Sequence, residues 1–464
     1  MSGPSEGNSP VSRHAGRRGH GRTRAGPKAC RAAHKAAHRG ARLSSAQLSS
    51  AQGNRRTRQK VRIIVQKFGG TSVADEEARL RARDRVVHAK EQGFDPVVVV
   101  SAMGRRPGPY ATDSLLDLVR GRGLPVDPRG LDLLASCGEV ISSVVMAGYL
   151  RAAGYEAVPL TGAQAGIRTD AEFGDANIQA INTARVLGAL ASGQIPIVAG
   201  FQGATDDGEI TTLGRGGSDT TATALGVALR AECVEIYTDV EGVMTVDPKI
   251  VPEARLISAI TYFEVEELAS NGAKVVHPRA VHIAQQGGIP VRVRSTLGES
   301  EGTFITGAAS RRVITGIAHA DGLARIEAVY PNAAEPSRAR VAILKAISTV
   351  GINVDFINVT PRAILFTVKD DFAQAAGEAL RSGGFQCHVM AECAKVSVVG
   401  AGMQEVPGVM ARVVEALHRA GVHIMQTVDS EVTISCLVDQ TSVSQAVRAL
   451  YDEFDLGAPD ASTA

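Results

Sequence analysis

The sequence contains no tryptophan, and aromatic residues make up only 4% of its 464 positions. Hydrophobic residues reach 44%, enough for real cores, so those cores must be built from Ala, Val, Leu and Ile. Cysteine is sparse too: Cys30, Cys137, Cys233, Cys387, Cys393 and Cys436 are scattered and never form CxxC. In a chain of this length that argues against a disulfide framework and reads as reduced thiols in a cytoplasmic protein. His277 and His282 have no cysteine or carboxylate cluster around them, so no protein-built metal site is expected. No apolar stretch approaches the ~20 residues of a membrane span. The phosphate-binding order GxxxxGK[ST] is absent, and no Ser-His-Asp or Cys-His arrangement is evident.

The charge is unevenly spread. The formal net charge is +2, yet residues 1–60 carry 14 Lys/Arg against the single acidic Glu6, leaving 36 basic and 47 acidic residues for the remainder. The basic segment has no hydrophobic periodicity. It contains a tandem repeat, Leu43-Ser44-Ser45-Ala46-Gln47 and Leu48-Ser49-Ser50-Ala51-Gln52. It reads as a disordered extension, with an organelle transit segment and a nucleic-acid-binding tail as the alternatives. The extension is taken to lie outside the machine, with no nucleic-acid or membrane partner. Val61 is a candidate true start, which intact mass or N-terminal sequencing of the native protein would test.

From Val61 to about Gly298, strand and helix patterns alternate. Strands are expected at Val61–Phe68, Val97–Val100, Ala157–Leu160, Ile195–Ala199, Val234–Tyr237 and Pro290–Val293. Helices are expected at Asp75–Lys90, Leu131–Ala153, Thr220–Leu229 and Tyr262–Leu268. This alternation predicts an α/β sandwich on a mainly parallel sheet, with ligands at the C-terminal ends of the strands. After Gly307 an internal repeat of about 70 residues begins. Val341–Val354 and Ala411–Ile424 each read helix then strand. A strand follows each (Ile364–Val368, Val432–Val438), then a helix (Phe372–Leu380, Val443–Phe454). Each unit reads βαββα, and the first closes as βαββαβ at Cys387–Met390. The second runs out of chain, and the apolar strand Val313–Ile317 is expected to complete it, which inserts the first repeat within the second.

Five segments carry chemistry. Lys67-Phe68-Gly69-Gly70-Thr71-Ser72 turns a strand into a helix, a natural anion site with a lysine beside it. Ser101-Ala102-Met103-Gly104 follows another strand. Glu139 sits in an apolar helix, so it must be paired to a structural cation or functional. Gly214-Arg215-Gly216-Gly217-Ser218-Asp219-Thr220 offers a carboxylate-binding arginine and a helix N-terminus. A structural turn capped by Ser218 or Asp219 is the alternative, but it would not need Arg, Ser, Asp and two Thr together. Asp219 cannot bind phosphate directly; orienting Lys67 or holding Mg²⁺ suits it better. The loop Thr238–Lys249 and Lys274 supply further carboxylates, hydroxyls and cations. Lysines, an arginine, glycine turns and few bases make up an inventory for phosphoryl transfer, where positioning and charge neutralisation dominate. Arg215 and Glu139 together suit a zwitterion.

These motifs resemble those of the aspartate kinase (aspartokinase) family, of the amino-acid kinase fold. KFGGTSV at Lys67–Val73, GRGGSDT at Gly214–Thr220 and TDVEGVMTVDP at Thr238–Pro248 carry the likeness. GFQG at Gly200–Gly203 and RVRS at Arg292–Ser295 agree with it. The resemblance spans roughly Val61–Leu456 and is closest to the monofunctional bacterial type with two C-terminal ACT repeats. It implies a catalytic domain over 61–306, a linker strand and first ACT repeat over 307–391, and a second ACT repeat with a short polar tail over 392–464, beyond the basic extension read from composition over 1–60.

The resemblance further implies phosphorylation of the side-chain carboxylate of L-aspartate by ATP with Mg²⁺. That reaction opens lysine, diaminopimelate, methionine and threonine biosynthesis. Lys67 and Asp219 would be catalytic. Lys67, Phe68, Gly69, Gly70, Thr238, Asp239, Met244, Asp247, Lys249 and Lys274 would bind ATP. Ser101, Thr112, Glu139, Arg215, Gly216, Gly217 and Ser218 would bind aspartate. Asn353, Val354, Asp355, Asn358, Val359 and Thr360 would bind an amino-acid effector (lysine, threonine or diaminopimelate). Pairing of ACT sheets between chains would give a homodimer or larger assembly. The chain departs from the family at Lys249, where Arg is common, and by the insertion Arg105–Tyr110 before Thr112. Two other readings stand beside this one: a kinase of the same fold acting on another carboxylate or a carbamate, and a catalytically silent amino-acid sensor.

Overall fold

A computed structural model describes residues 62–273, 275–308, 312–330 and 336–458. The basic segment with its tandem repeat and Cys30, the expected start at Val61, and Lys274 lie outside the described residues. The first part of the chain runs β1 (Ile63–Phe68), α1 (Glu76–Glu91), β2 (Asp95–Val100), α2 (Thr112–Arg120), α3 (Pro128–Ala152), β3 (Ala157–Leu160), β4 (Ile167–Thr169), β5 (Ile178–Ile181), α4 (Ala184–Ala191) and β6 (Ile195–Ala199). It continues through β7 (Gln202–Ala204), β8 (Ile210–Thr212), α5 (Gly217–Leu229), β9 (Cys233–Thr238), β10 (Ala259–Thr261), α6 (Tyr262–Ser270), α7 (Pro278–Gly287), β11 (Val291–Ser295) and β12 (Thr303–Thr306). The second part runs β13 (Gly316–Val329), α8 (Pro336–Thr349), β14 (Asp355–Val359), β15 (Ala363–Lys369), α9 (Ala373–Ser382), β16 (Gln386–Val399), α10 (Val409–Arg419), β17 (Gln426–Asp429), β18 (Thr433–Asp439) and α11 (Val443–Glu453).

Eight strands form the main sheet in the order β10-β12-β11-β9-β1-β2-β6-β3, parallel except where β12 meets β11. Its strands are apolar on both faces because helices cover both. Alternate residues of β2 show this: Val97 and Val99 join one core, Val98 and Val100 the other. The first core is closed by α5, α6 and α7 through Leu225, Leu268 and Val281, the second by α1 and α3 through Val86, Met146 and Leu150. The chain leaves β1 toward β2 and later returns beside it as β9. That reversal of strand order opens a crevice at the strands' C-terminal ends, where α/β sheets bind ligands. A small sheet, β5-β4-β7-β8, flanks it.

The helix α3 corrects the expectation about apolar length, for it is long and apolar enough to cross a membrane by length and composition alone. Half of its most apolar window is buried inside the protein, and Asp132, Ser136, Glu139, Ser142 and Ser143 are buried along it. It is therefore a core helix.

The second part is one antiparallel sheet, β14-β15-β13-β16-β18-β17. Gly316–Ala320 pair with Lys395–Val399, and Leu323–Val329 pair with residues between Gln386 and Cys393. The first stretch of β13 thus supplies the strand missing from the second repeat. Ile317 lies opposite Val398, and Ile314 and Ile317 pack with Val413, Leu417 and Val447 of that repeat. The strand starts at Gly316, later than expected, so Val313–Thr315 form a connector. β16 is a single strand of 14 residues that runs through the boundary expected at 391/392. It bends at Glu392, whose φ of 57° is left-handed, and the pairing register slips nearby.

Candidate active site

Lys67 is the penultimate residue of β1, and the β1 backbone delivers it to the crevice. Its Nζ lies 2.6 Å from Asp219 Oδ1 in the first turn of α5, with side chains 11% and 13% exposed. The turn after Lys67 is tight because Gly69 N–H donates to the Tyr237 carbonyl at the end of β9. A Cβ on Gly70 would lie 2.9 Å from the Gly104 carbonyl oxygen, so the turn after β1 and the turn after β2 touch through a position that only glycine fits. Phe68 points the other way. It is fully buried and stacks on Tyr237 at 4.7 Å, so only its backbone belongs to the crevice.

The opposite wall is the N-terminus of α5. Gly216 is its N-cap in a left-handed conformation (φ 71°), and Gly217 opens the helix. Ser218 is buried next to Gly200 at the end of β6, where a Cβ would come within 2.9 Å of Ser218 Oγ. Unpaired backbone N–H groups and the helix dipole make this end electropositive. Arg215 stands exposed beside it, and no ion pair to it is found among the described residues.

One cavity of about 390 Å³ joins the two walls. Lys67, Gly69, Gly70, Ser101, Thr112, Glu139, Arg215, Gly216, Gly217, Ser218, Asp219 and Thr238 all line it. Thr112 reaches it as the first residue of α2, despite the insertion before it. Glu139 and Asp132 are two buried acids on one helix, and their surroundings separate them. Asp132 accepts from Thr212 N–H (2.7 Å), Thr212 Oγ1 (2.8 Å) and Gly174 N–H (3.0 Å), a structural clamp on the strand before Gly214. Glu139 accepts one bond, from Ala102 N–H at 3.0 Å, while its Oε2 is buried without a partner among the described residues. Burial pushes its carboxyl up to about 8, against the lowering effect of the Ala102 N–H. Among the described residues no structural cation pairs with Glu139, so an unsatisfied carboxyl faces the cavity.

The remaining expected residues spread out. Thr238 and Asp239 line a second, smaller cavity of about 170 Å³ with Thr71, Ser72, Asp75, Glu77 and Thr296, and Thr238 borders both spaces. Met244, Asp247 and Lys249 line neither. Met244 bridges to Leu256, Asp247 Oδ1 accepts from Lys249 N–H in a local turn, and the neighbours Val246 and Val251 are buried against the second repeat. Of the effector candidates, Val354 and Asp355 line a cavity of about 370 Å³ with Glu267 of α6, its C-cap Asn271, Lys395 of β16 and residues of β17 and β18. Asp355 Oδ2 accepts from Lys395 Nζ at 2.8 Å. Burial opposes ionisation of Asp355, but the Lys395 bond and charge together hold it below the usual aspartate range. Asn358 and Val359 lie exposed on the edge strand β14, Asn353 is exposed before it, and Thr360 Oγ1 donates to the Ala363 carbonyl in the turn after it.

Two positions that frame the site escaped the sequence reading. His277 is the N-cap of α7, and a Cβ on Gly216 would lie 2.1 Å from its Cγ, so His277 packs directly against the N-terminus of α5. Burial holds the imidazole below the usual histidine range, with Asp219 opposing and Arg279 and Arg215 assisting. Arg279 donates to the Leu213 and Ala176 carbonyls and to Asn177 Oδ1, fixing the approach to Gly214. Neither residue belongs to a motif, but they flank Pro278 at the start of α7, the one local signal that pointed here.

Comparison with known proteins identifies the family of the fold. A profile described as the amino acid kinase family matches residues 62–295, and one described as an ACT domain matches residues 396–454. Aspartokinase 1 of Bacillus subtilis (strain 168) is 46% identical over 404 residues, covering 85% of this chain and 100% of that protein. E. coli aspartokinase III in complex with aspartate and ADP (R-state) superposes with a TM-score of 0.69 at 26% identity, covering 85% of this chain and 100% of that one. The same enzyme in complex with lysine and aspartate (T-state) gives a TM-score of 0.69 at 26% identity, with 84% and 99% covered. The chain belongs to the aspartokinase family.

Proposed function

We propose that the chain transfers the γ-phosphoryl group of ATP to the side-chain carboxylate of L-aspartate, giving ADP and 4-phospho-L-aspartate through the residues of the 390 Å³ cavity. The observation that carries the assignment of roles is the Lys67–Asp219 pair, set between two anion-binding turns with an unsatisfied Glu139 in the same cavity. Lys67 and the N–H groups of Gly69 and Gly70 take the phosphates, and Asp219 holds the ammonium of Lys67 on the transferring group. Arg215 takes the α-carboxylate and Glu139 the ammonium of aspartate. Ser101, Thr112, Ser218 and the Gly216 and Gly217 N–H groups orient the rest. Thr238 and Asp239 begin the nucleoside wall, Thr238 bordering both cavities.

Among the described residues no group of three or more His, Cys, Asp or Glu side chains is placed to cage a metal. Mg²⁺ would instead enter with the ATP phosphates, and Asp219, beside Lys67 in the cavity, is the carboxylate that would face it. The ion supplies neutralisation of charge on the phosphoryl oxygens.

Regulation by an amino acid (lysine, threonine or diaminopimelate) is proposed for the ACT layer, with Val354, Asp355 and Lys395 at its cavity. The lysine in the T-state structure of the E. coli enzyme supports that class of effector. The open edge of β14, with Ile357 and Val359 44% and 48% exposed, suits pairing with a second copy as a homodimer. The reaction would serve lysine, diaminopimelate, methionine and threonine biosynthesis in the cytoplasm.

The test is ADP release from ATP with L-aspartate, L-glutamate and N-acetyl-L-glutamate in turn. Turnover with aspartate alone is expected; equal turnover with glutamate overturns the substrate assignment. Adding lysine, threonine and diaminopimelate singly and in pairs identifies the effector.

A further inference from the structure

Glu264 is the third residue of α6 and is completely buried (0% exposed). Its two carboxylate oxygens face different parts of the molecule. Oε2 accepts from Thr261 N–H (2.9 Å) and Thr261 Oγ1 (2.7 Å), closing the helix's own capping box. Oε1 accepts from Thr315 Oγ1 (2.5 Å) in the connector to β13 and from Ala401 N–H (3.0 Å) just after β16. A capping box needs only the first pair. The second ties the start of a catalytic-domain helix to the ACT layer.

The other end of α6 is tied as well. Ser397 Oγ of β16 donates to Asn271 Oδ1 at 3.0 Å, and a Cβ on Gly272 would overlap the His319 carbonyl oxygen at 1.8 Å. From there the chain enters α7. Two glycines key α7 to α5: Gly216 takes the His277 ring, and Gly287 takes Val227, whose Cγ2 would lie 2.3 Å from a Cβ there. Tyr262 Oη donates to the Ile289 carbonyl at 2.7 Å, which fixes the start of α6 to the end of α7. α6 is thus bonded at both ends to the ACT layer and leads through close packing to the α5 turn that carries Asp219. Free space adjoins it on two sides. One is the 370 Å³ cavity reached by Glu267 and Asn271; the other is an apolar cavity of about 470 Å³ bounded by Thr261, Tyr262, Phe263 and Ala401.

We propose that α6 is the mechanical link between the ACT layer and the phosphoryl-transfer centre, and that Glu264 is its positioning residue, holding the start of the helix to Thr315 and Ala401. This rests on the proposed feedback regulation of the same chain. An effector that prefers one arrangement of the ACT layer biases α6, and α6 biases the Lys67–Asp219 geometry.

The deciding variant is Thr315→Val, which removes one bond to Oε1 and leaves the capping box intact. Glu264→Gln is the second variant: four donors surround the carboxylate, and an amide cannot accept from both the Thr261 and Ala401 N–H groups. ADP release is measured against L-lysine and L-threonine, singly and together. The inhibition midpoint of Thr315→Val should rise by at least about fivefold while uninhibited kcat stays at the wild-type value. A wild-type midpoint with only a lowered Tm means that Glu264 is merely structural and overturns the proposal. If neither amino acid inhibits the wild type, the feedback reading with these effectors fails, and hydrogen exchange decides the link. Thr315→Val must then speed exchange across Gly214–Thr220 and leave Ile195–Ala199 unchanged; equal exchange in Gly214–Thr220 overturns it.

Discussion

Lys67 Nζ and Asp219 Oδ1 are 2.6 Å apart, and their contact joins the end of β1 to the first turn of α5 across the mouth of the crevice. On the proposed function, the lysine that meets phosphate is thereby held in one place before the nucleotide arrives. Preorganised charge of this kind is usually the largest single contribution to phosphoryl transfer.

Lys67→Ala should lower kcat by about 10²–10³ without unfolding the chain, because the side chain contributes charge and little packing. Asp219→Asn should cost less, since the lysine stays but loses its tether. ADP release and a thermal melt on each variant check this. Full activity in Lys67→Ala would remove the lysine from the mechanism.

Glu139 gives a pH-dependent prediction. Its carboxyl titrates at about 8 in the folded chain, against an ordinary value of 4.5. Below 8 it is mostly neutral and cannot pair with an ammonium group. The KM for aspartate should therefore fall as pH rises from 7 to 8.5. Glu139→Gln should flatten that dependence and raise KM about 10–100-fold. A slope that survives in Glu139→Gln assigns the titration to another group.

The same residue bears on stability with a definite sign. Between pH 4.5 and about 8 the folded chain keeps a proton that the unfolded chain has lost, so Glu139 makes stability fall as pH rises through that window. Glu139→Gln should melt higher than wild type at pH 8.5, by about 1–3 kcal/mol of stability, and show no such advantage near pH 4.5. Equal melting at both pH values would mean that the carboxyl is better solvated than its burial implies.

Much of the arrangement could be read from the chain because it is written locally. β-branched runs such as Val97–Val100 announce buried parallel strands, and Gly214–Thr220 announces an anion-binding helix start. The repeat also showed through, down to the strand borrowed near Ile317, because two similar units expose what one of them lacks. Glu264 was invisible for the opposite reason. In sequence it is an ordinary capping-box residue, and its deciding partners Thr315 and Ala401 lie 51 and 137 positions away. Buried polar contacts across such separations leave no period or spacing to read. The 14-residue β16 was hidden likewise, since its bend at Glu392 breaks the alternation that marks a strand.

The Asp355–Lys395 pair separates regulation from stability. Lys395 is largely buried and Asp355 largely exposed (side chains 12% and 65%), so solvent screens the pair and its loss should cost no more than about 1 kcal/mol. What it contributes is present above the ordinary aspartate range and lost on acidification below it, because Asp355 is held low in the folded chain. Asp355→Asn should leave uninhibited kcat unchanged and shift the effector midpoint in the ADP-release assay. An unshifted midpoint would place the effector away from this cavity.

Gly216 offers the sharpest test of how the α5 turn is held. It has φ 71°, and an added Cβ would lie 2.1 Å from His277 Cγ and 2.4 Å from His277 Cβ. Rotating the His277 ring cannot relieve the second contact, so the backbone of the first α5 turn must move and carry Asp219 away from Lys67. Gly216→Ala should therefore lose about 2–4 kcal/mol of stability and most of its ADP release. Gly93 is the control, left-handed at φ 82° with nothing within 4 Å of a Cβ. Gly93→Ala should cost only the backbone strain, about 1–2 kcal/mol, and keep full activity. Equal stability losses in the two variants would mean that Gly216 supplies a left-handed backbone alone, and that the His277 contact does not position the α5 turn.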